Sequence, residues 1–170
     1  MGLDSLEGLF LEELKDVYNA EKQITKALPR MAKAADSEEL QQALTKHLKE
    51  TEGQIKRLER IFQTLGQTAR GKKCKGMEGL IEEGKEVLEE DGDPAVIDAA
   101  IIASAQRVEH YEIAAYGCLR TYARLLGHSE AEKLLDQTLT EEEAADEKLT
   151  ALGEGGINAA AASAGTEEEE

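Results

Sequence analysis

The sequence predicts an all-α fold in which four long helices form one bundle. Ala, Leu, Glu and Lys dominate the chain, whereas aromatic residues make up 4% and only two prolines occur. This mix favours helices over sheets. In four long segments apolar residues recur at helical spacing, so each segment carries one apolar stripe. A length of 170 residues is enough for one domain with one core.

The first two predicted helices form a hairpin with a tight turn. Helix one is expected over residues 4–35, with a bend at Pro29 because proline removes a backbone donor inside the helix. Asp36 or Ser37 can cap the second helix at its N-terminus. Helix two is expected to stop at Gly66.

A long connection separates this hairpin from a second one. Residues 67–75 are polar and rich in Lys and Arg, which indicates a loop, and a shorter amphipathic helix is expected over residues 76–90. Pro94 is well placed to begin helix three, which ends at Gly127. Helix four follows over residues 129–153.

Two antiparallel hairpins joined by a crossover of roughly 28 residues have the connectivity of a ferritin-like four-helix bundle. An up-and-down bundle would need no such link, because connections between its helices are short. The bundle is therefore expected over residues 1–153. Residues 154–170 are small residues and closing glutamates, which predict a disordered acidic tail.

The charge excludes several classes of partner. A formal net charge of -16 repels phosphate backbones and anionic lipid heads, so we expect neither nucleic-acid nor membrane binding.

The first ten residues lack the basic and apolar regions of a signal peptide or membrane anchor, which predicts a cytoplasmic protein. Cys74 and Cys118 have no metal-binding or disulfide pattern and are expected to be buried or idle thiols.

Polar residues interrupt the apolar stripe near the middle of every long helix. Glu21, for example, lies between Val17 and Ile24 at the spacing that points it into the core. Glu21 and Glu50 lie 29 positions apart, and Glu112 and Glu142 lie 30 apart, so the two hairpins present matching carboxylates. The candidate metal ligands are Glu21, His47, Glu50, Glu109, Glu112, Glu142 and Asp146.

Several inward-facing carboxylates require compensation, because burial of an unpaired carboxylate is costly. Two divalent metal ions would supply it, and oxygen ligands with an imidazole suit iron or manganese, with magnesium or zinc as alternatives. Salt bridges to Lys or Arg at the bundle edge are the competing interpretation. His110 lies about 100° away from the ligand stripe. Tyr111 and Tyr116 could bond carboxylates, but packing is expected.

Six sequence strings that include the candidate ligands are typical of one protein family. They are Val-Tyr-Asn-Ala-Glu-Lys-Gln (17–23), His-Leu-Lys-Glu-Thr (47–51), Arg-Leu-Glu (57–59), Cys-Lys-Gly-Met-Glu-Gly-Leu (74–80), Glu-His-Tyr-Glu-Ile-Ala-Ala-Tyr (109–116) and Thr-Leu-Thr-Glu-Glu-Glu-Ala-Ala-Asp (138–146). In these strings the chain resembles the YciE/YciF-like family of ferritin-like bacterial proteins, over nearly everything before the tail. The resemblance implies a ferritin-like fold, a homodimer, an association with bacterial stress responses and metal positions at the residues named above.

One departure from the ferritin-like pattern bears on function. Di-iron members carry Glu-x-x-His on two helices, whereas Gly53 follows Glu50 and Ala145 follows Glu142 at that spacing. Either the site is oxygen-rich or it has decayed. The first alternative is a di-metal carboxylate protein that handles iron or manganese with oxygen or peroxide. The second is a non-catalytic dimer with a structural or partner-binding role, and an iron-storage cage is a third.

Overall fold

The computed structural model describes residues 3–166, and within them the fold is all-α, as predicted. Among the described helices, none combines the length and apolarity needed to cross a bilayer. Six α-helices and one π-helical turn follow each other between residues 3 and 166. They are α1 (Leu6–Ala34), α2 (Glu38–Thr64), α3 (Lys75–Glu89), α4 (Pro94–Leu125), α5 (Ser129–Leu152), the π turn (Gly153–Ile157) and α6 (Asn158–Ser163).

Local chemistry explains where the long helices begin and end. The Ser5 hydroxyl accepts a hydrogen bond from the backbone N–H of Gly8 and caps α1. Asp93 caps α4, whose first residue is the predicted Pro94. Gly66 and Gly127 follow the ends of α2 and α4 with φ values of 66° and 76°, which a residue with a side chain rarely adopts. These four boundaries agree with the sequence to within two residues.

The four long helices form the expected two hairpins. Helix α1 packs against α2, α4 packs against α5, and the pairs meet through α1 with α4 and α2 with α5. The crossover runs outside the bundle, where α3 packs against α1 and α4. Two side chains of α1 hold it there: Asn19 Oδ1 accepts from the backbone N–H of Cys74, and Gln23 Nε2 donates to the Cys74 carbonyl. The fold is thus a ferritin-like four-helix bundle with a short crossover helix.

Two apolar clusters fill the bundle, one toward each end. Phe10, Leu58 and Leu119 belong to the first cluster, and Ile24 and Ile101 belong to the second. On each long helix the change from one cluster to the other falls at a buried polar segment. A polar layer therefore divides the core, and the helices bring their inward-facing carboxylates to the same height.

The end of the chain departs from the expected disordered tail. Residues 158–163 form α6, and both α6 and the π turn pack against α4. Alanine has the highest helix propensity, and the segment 159–162 is all alanine. Ile157 packs against the apolar cluster, which supplies the burial that composition alone does not predict. The prediction was wrong for this part, and the four closing glutamates lie outside the described residues.

The turn between α1 and α2 depends on a carboxylate from α4. Asp98 is buried, and its Oδ1 and Oδ2 accept hydrogen bonds of 2.8 Å from the backbone N–H groups of Asp36 and Ser37, respectively. The side chain of Ser37 also caps α2, as predicted. Asp98 thus joins the two hairpins at one end of the bundle.

We expect Asp98→Ala to lower the free energy of unfolding by about 3 kcal/mol, because hydrogen bonds to a charged group are worth roughly 1.5 to 3 kcal/mol each. Urea unfolding followed by circular dichroism measures the change. Asp91→Ala is the matched control, since Asp91 is exposed and should alter stability by less than about 0.5 kcal/mol. Equal effects of the two substitutions would contradict this role for Asp98.

Candidate metal centre

Four of the predicted ligands meet in the polar layer. His47 of α2, Glu109 and Glu112 of α4 and Glu142 of α5 are all buried. Each offers one ligand atom, and these atoms lie within 4.8 Å of one another. Three different helices therefore converge on a volume that one metal ion could fill.

The His47 ring lies at the centre of this group. Its Nε2 is 2.9 Å from Glu109 Oε1 and 3.6 Å from Glu142 Oε2, without the alignment of a hydrogen bond to either. Its Nδ1 is 3.4 Å from Glu50 Oε2. A histidine that binds a metal commonly donates its other ring N–H to a carboxylate, which orients the ring. Glu50 is suited to this role, and Nε2 then faces the other carboxylates.

Glu21 of α1 lies beside the group and completes the contribution of the four long helices. It is fully buried, and its Oε1 accepts a hydrogen bond from the hydroxyl of Tyr116. Burial, followed by the charge of Glu21, raises the pKa of Tyr116 well above its usual value, so the hydroxyl stays protonated and donates. The expectation that Tyr116 only packs was wrong.

Burial dominates the electrostatics of the carboxyl groups. It raises the pKa of Glu21 to about 7, and it raises the pKa of Glu112 and Glu142 well above the usual value. The charges of Glu142 and Glu21 raise the pKa of Glu112 further. Without a cation, the polar layer therefore holds protons at a pH at which exposed glutamates have lost theirs.

His47 offsets part of this negative charge. Burial acts to lower its pKa, but the adjacent carboxylates of Glu109 and Glu50 and the charge of Glu142 outweigh burial and raise the pKa well above the usual value. A metal ion on Nε2 would displace that proton and take over the neutralisation of the carboxylates.

The donor atoms fit a divalent cation. Among the described residues, several buried oxygen atoms and one ring nitrogen of this layer have no hydrogen-bond partner. An imidazole with carboxylate oxygens is a set that iron, manganese and zinc accept. The predicted second ion stays a prediction, with Glu21 and Glu50 as the neighbouring carboxylates. The atoms without a partner are Glu21 Oε2, His47 Nε2, Glu109 Oε2, both carboxylate oxygens of Glu112 and both of Glu142.

A polar opening connects the group to solvent between α2 and α5. It has a volume of about 420 Å³ and is lined by Glu39, His47, Glu50, Glu109 and Lys148, among others. The side chain of Glu50 is 23% exposed at this opening and lies 3.4 Å from Nδ1 of the His47 ring. His47 and Glu109, which belong to the candidate metal group, thus also line an opening that carries further carboxylates.

Asp146 is the predicted ligand that the structure places apart from the group. Its Oδ2 is 3.2 Å from His110 Nε2, and its Oδ1 accepts a hydrogen bond from Gln106 Nε2. The His110 side chain is 66% exposed, consistent with its position off the ligand stripe. The helical spacing of Glu142 and Asp146 allows both to face inward, but α4 supplies polar partners for Asp146 nearer the surface.

Sequence reasoning missed two polar clusters. Arg57 donates to both carboxylate oxygens of Glu141, and Gln54 Nε2 donates to one of them. Arg57 lies one turn after Gln54 on the ligand side of α2, and this spacing was the available signal.

The second cluster joins α1, α4 and the N-terminus of α3. The hydroxyl of Tyr111 donates to Asp16 Oδ2 at 2.7 Å and lies 3.0 Å from Cys74 Sγ. The sequence predicted thiols that are either buried or idle. Cys74 is buried, whereas Cys118 is exposed. The prediction that Tyr111 only packs was wrong. No spacing in the sequence could reveal contacts between segments so far apart.

Comparisons with known proteins agree with this architecture. Residues 5–162 match a family described as a domain of unknown function, DUF892. The protein YciF of Escherichia coli K12 is 48% identical over 159 residues, which cover 93% of this chain and 96% of that protein.

Solved structures give the same result. The crystal structure of YciF, described as an E. coli stress protein, has a TM-score of 0.88 over 92% of this chain and 99% of that one. YcfI of Rhodopseudomonas palustris, described as a candidate structural protein, is 48% identical, with a TM-score of 0.85 over 88% of this chain and 97% of that one. The chain therefore belongs to the DUF892 family and is similar to YciF.

Proposed function

We propose that this protein binds two divalent metal ions, iron or manganese, in the polar layer of its bundle and uses them with oxygen or peroxide during bacterial stress. The observation that carries the proposal is the convergence of His47 with three buried glutamates whose oxygen atoms lack hydrogen-bond partners. A cation offsets the cost of burying these carboxylates. The description of YciF as a stress protein supports the physiological setting.

The side chains around the proposed centre have separate roles. When bound, iron supplies one-electron redox chemistry toward a small oxidant. Glu50 holds the Nδ1–H of His47, so that the Nε2 lone pair faces inward. Tyr116 donates to Glu21 Oε1 and leaves Oε2 free. The apolar clusters above and below the layer exclude water from the buried side of the site.

The alternative is a non-catalytic helical dimer with a structural or partner-binding role that retains only the scaffold. The description of the Rhodopseudomonas relative as a candidate structural protein favours it. In that case the buried glutamates stay protonated or share the charge of His47, and no metal is needed. Measurements of metal binding and of the stability of the metal-free protein distinguish the metal-binding function from this alternative.

We expect Glu142→Gln to weaken the binding of Mn(II) or anaerobic Fe(II) by at least roughly 100-fold, since loss of an outer-shell partner alone costs 10- to 100-fold. Isothermal titration calorimetry and elemental analysis measure affinity and stoichiometry. Glu143→Gln is the matched control, because this neighbouring carboxylate is exposed and the charge change is the same. The wild-type protein should also melt at a higher temperature with metal.

Two results would overturn the proposal. One is a wild-type protein that binds neither Fe(II) nor Mn(II) after removal of carried-over metal. The other is equal metal affinity of the Glu142→Gln and Glu143→Gln proteins.

We expect Glu112→Gln to stabilise the metal-free protein at pH 8 by on the order of 2 kcal/mol. The folded protein has a raised pKa at Glu112, so the stability this group contributes is present below pH 4.5 and is lost as the pH rises through the raised value. Glutamine is neutral throughout and avoids that loss. Glu21, with its pKa of about 7, adds a loss of the same sign.

Thermal melting of the metal-free protein at pH 5 and pH 8 tests this expectation. The gain from Glu112→Gln should be larger at pH 8, and Glu143→Gln should show no such difference. A salt-bridged Glu112 would instead make the variant less stable at pH 8.

A further inference from the structure

A second cavity reaches the polar layer from the side opposite to the polar opening. It lies where α1, α3 and α4 meet and has a volume of about 330 Å³. Its walls are mostly aliphatic and include Ile24, Leu80 and Val108. The small residues Ala27 and Gly84 leave the space between the helices. Because α3 belongs to the crossover, this cavity is a product of the long connection.

Two buried polar side chains, each with one oxygen atom that lacks a hydrogen-bond partner, line the inner wall of this cavity. They are Ser104 and Glu109, both on α4. The Ser104 hydroxyl and Glu109 Oε2 have no hydrogen-bond partner among the described residues. Glu109 also lines the polar opening and belongs to the candidate metal group. The Glu109 carboxylate therefore lines both the polar opening and the apolar cavity.

The outer rim of the cavity carries positive charge. Lys26, Arg30 and Lys85 line it, and all three are exposed. None of them forms an ion pair within residues 3–166. Among the described residues, the buried Glu109 is the one acidic residue in the lining. In a chain with a net charge of -16, a lining with three exposed cations and one buried carboxylate is a local reversal of sign.

We propose that this cavity binds an aliphatic carboxylate, with the alkyl chain between α1, α3 and α4 and the carboxylate against Lys26, Arg30 and Lys85. Apolar walls select the chain through burial of its surface, and the cations select the anionic head. The ligand is a free small molecule, since the space is a slot between three helices of one chain and not a flat face.

The volume of the cavity limits the length of the alkyl chain that it can hold. At roughly 30 Å³ for a water-sized group, a cavity of about 330 Å³ holds on the order of ten such groups. A medium-chain fatty acid such as decanoate matches this size when its head stays at the rim. Longer chains would have to leave part of their length in water.

The position of the cavity gives the ligand a role. A bound chain would place its apolar end toward the wall that contains Ser104 and Glu109. It would then exclude water from that side of the metal group and present carbon atoms to it. This role, though not the binding itself, rests on the proposed metal function.

Titration of the full-length protein with decanoate, followed by isothermal titration calorimetry, tests the proposal. We expect saturable binding of one decanoate per chain, weaker at high salt because the rim charges are screened. From hexanoate to decanoate, affinity should rise by roughly fourfold for each methylene and then level off. 1-Decanol, with a neutral head, should bind more weakly.

Two variants locate the bound ligand. Ala27→Leu fills part of the cavity and should weaken decanoate binding by at least about tenfold. Ala103→Leu is its control, because Ala103 is exposed on α4 and does not line the cavity. The triple variant K26Q/R30Q/K85Q should weaken binding by about tenfold at low salt.

The triple variant changes only exposed side chains, so the test survives if Ala27→Leu does not fold. Its control is K49Q/K56Q/R107Q, which removes the same charge from exposed positions outside the cavity. The absence of decanoate binding, or equal losses in variants and controls, would overturn the proposal. So would a change in oligomeric state on Ala27→Leu without a change in affinity, which would assign the cavity to a second copy of the chain.

Titration of the same preparation with Mn(II) keeps the two proposals separate. Metal binding without decanoate binding refutes the fatty-acid site alone. Decanoate binding without metal binding refutes the metal centre alone, and the cavity is then a lipid-binding site in a structural protein.

Discussion

The burial of carboxylates at one height in the bundle is the constraint on which the rest of this structure depends. Glu21, Glu109, Glu112 and Glu142 lie within a layer that interrupts an otherwise apolar core. A layer of this kind is stable only with protons, with the imidazolium of His47 or with metal ions. The long helices on both sides of the layer supply the apolar burial that offsets its cost.

The helices hold these groups in register through contacts outside the layer. Asp98 joins the two hairpins at one end, and Asn19 and Gln23 fasten the crossover to α1. Helix α1 thus carries a carboxylate on one face and crossover contacts on another. The layer itself has two approaches, a polar one between α2 and α5 and an apolar one beside α3, and Glu109 lines both.

Most of the architecture could be read from the chain, because helical periodicity and the end signals at Ser37, Gly66, Pro94 and Gly127 are local. The ligand set was harder. Four predicted residues meet, Glu21 and Glu50 lie beside them, and Asp146 turns to partners on α4. The register of a carboxylate on its own helix shows that it faces inward. Which side chains of a neighbouring helix lie against it depends on how the two helices pack, and the sequence around the carboxylate does not show this.

The sequence by itself determined the fold class, the order of the helices and the inward direction of the carboxylates, since periodicity, capping and turn residues act over a few positions. Tertiary structure decided the rest. It decided that His47 faces Glu109 and Glu142, that the segment around Ile157 packs, and that α3 leaves a cavity with a cationic rim. These outcomes depend on how closely helices far apart in the chain approach each other, and side-chain packing across the bundle sets that distance.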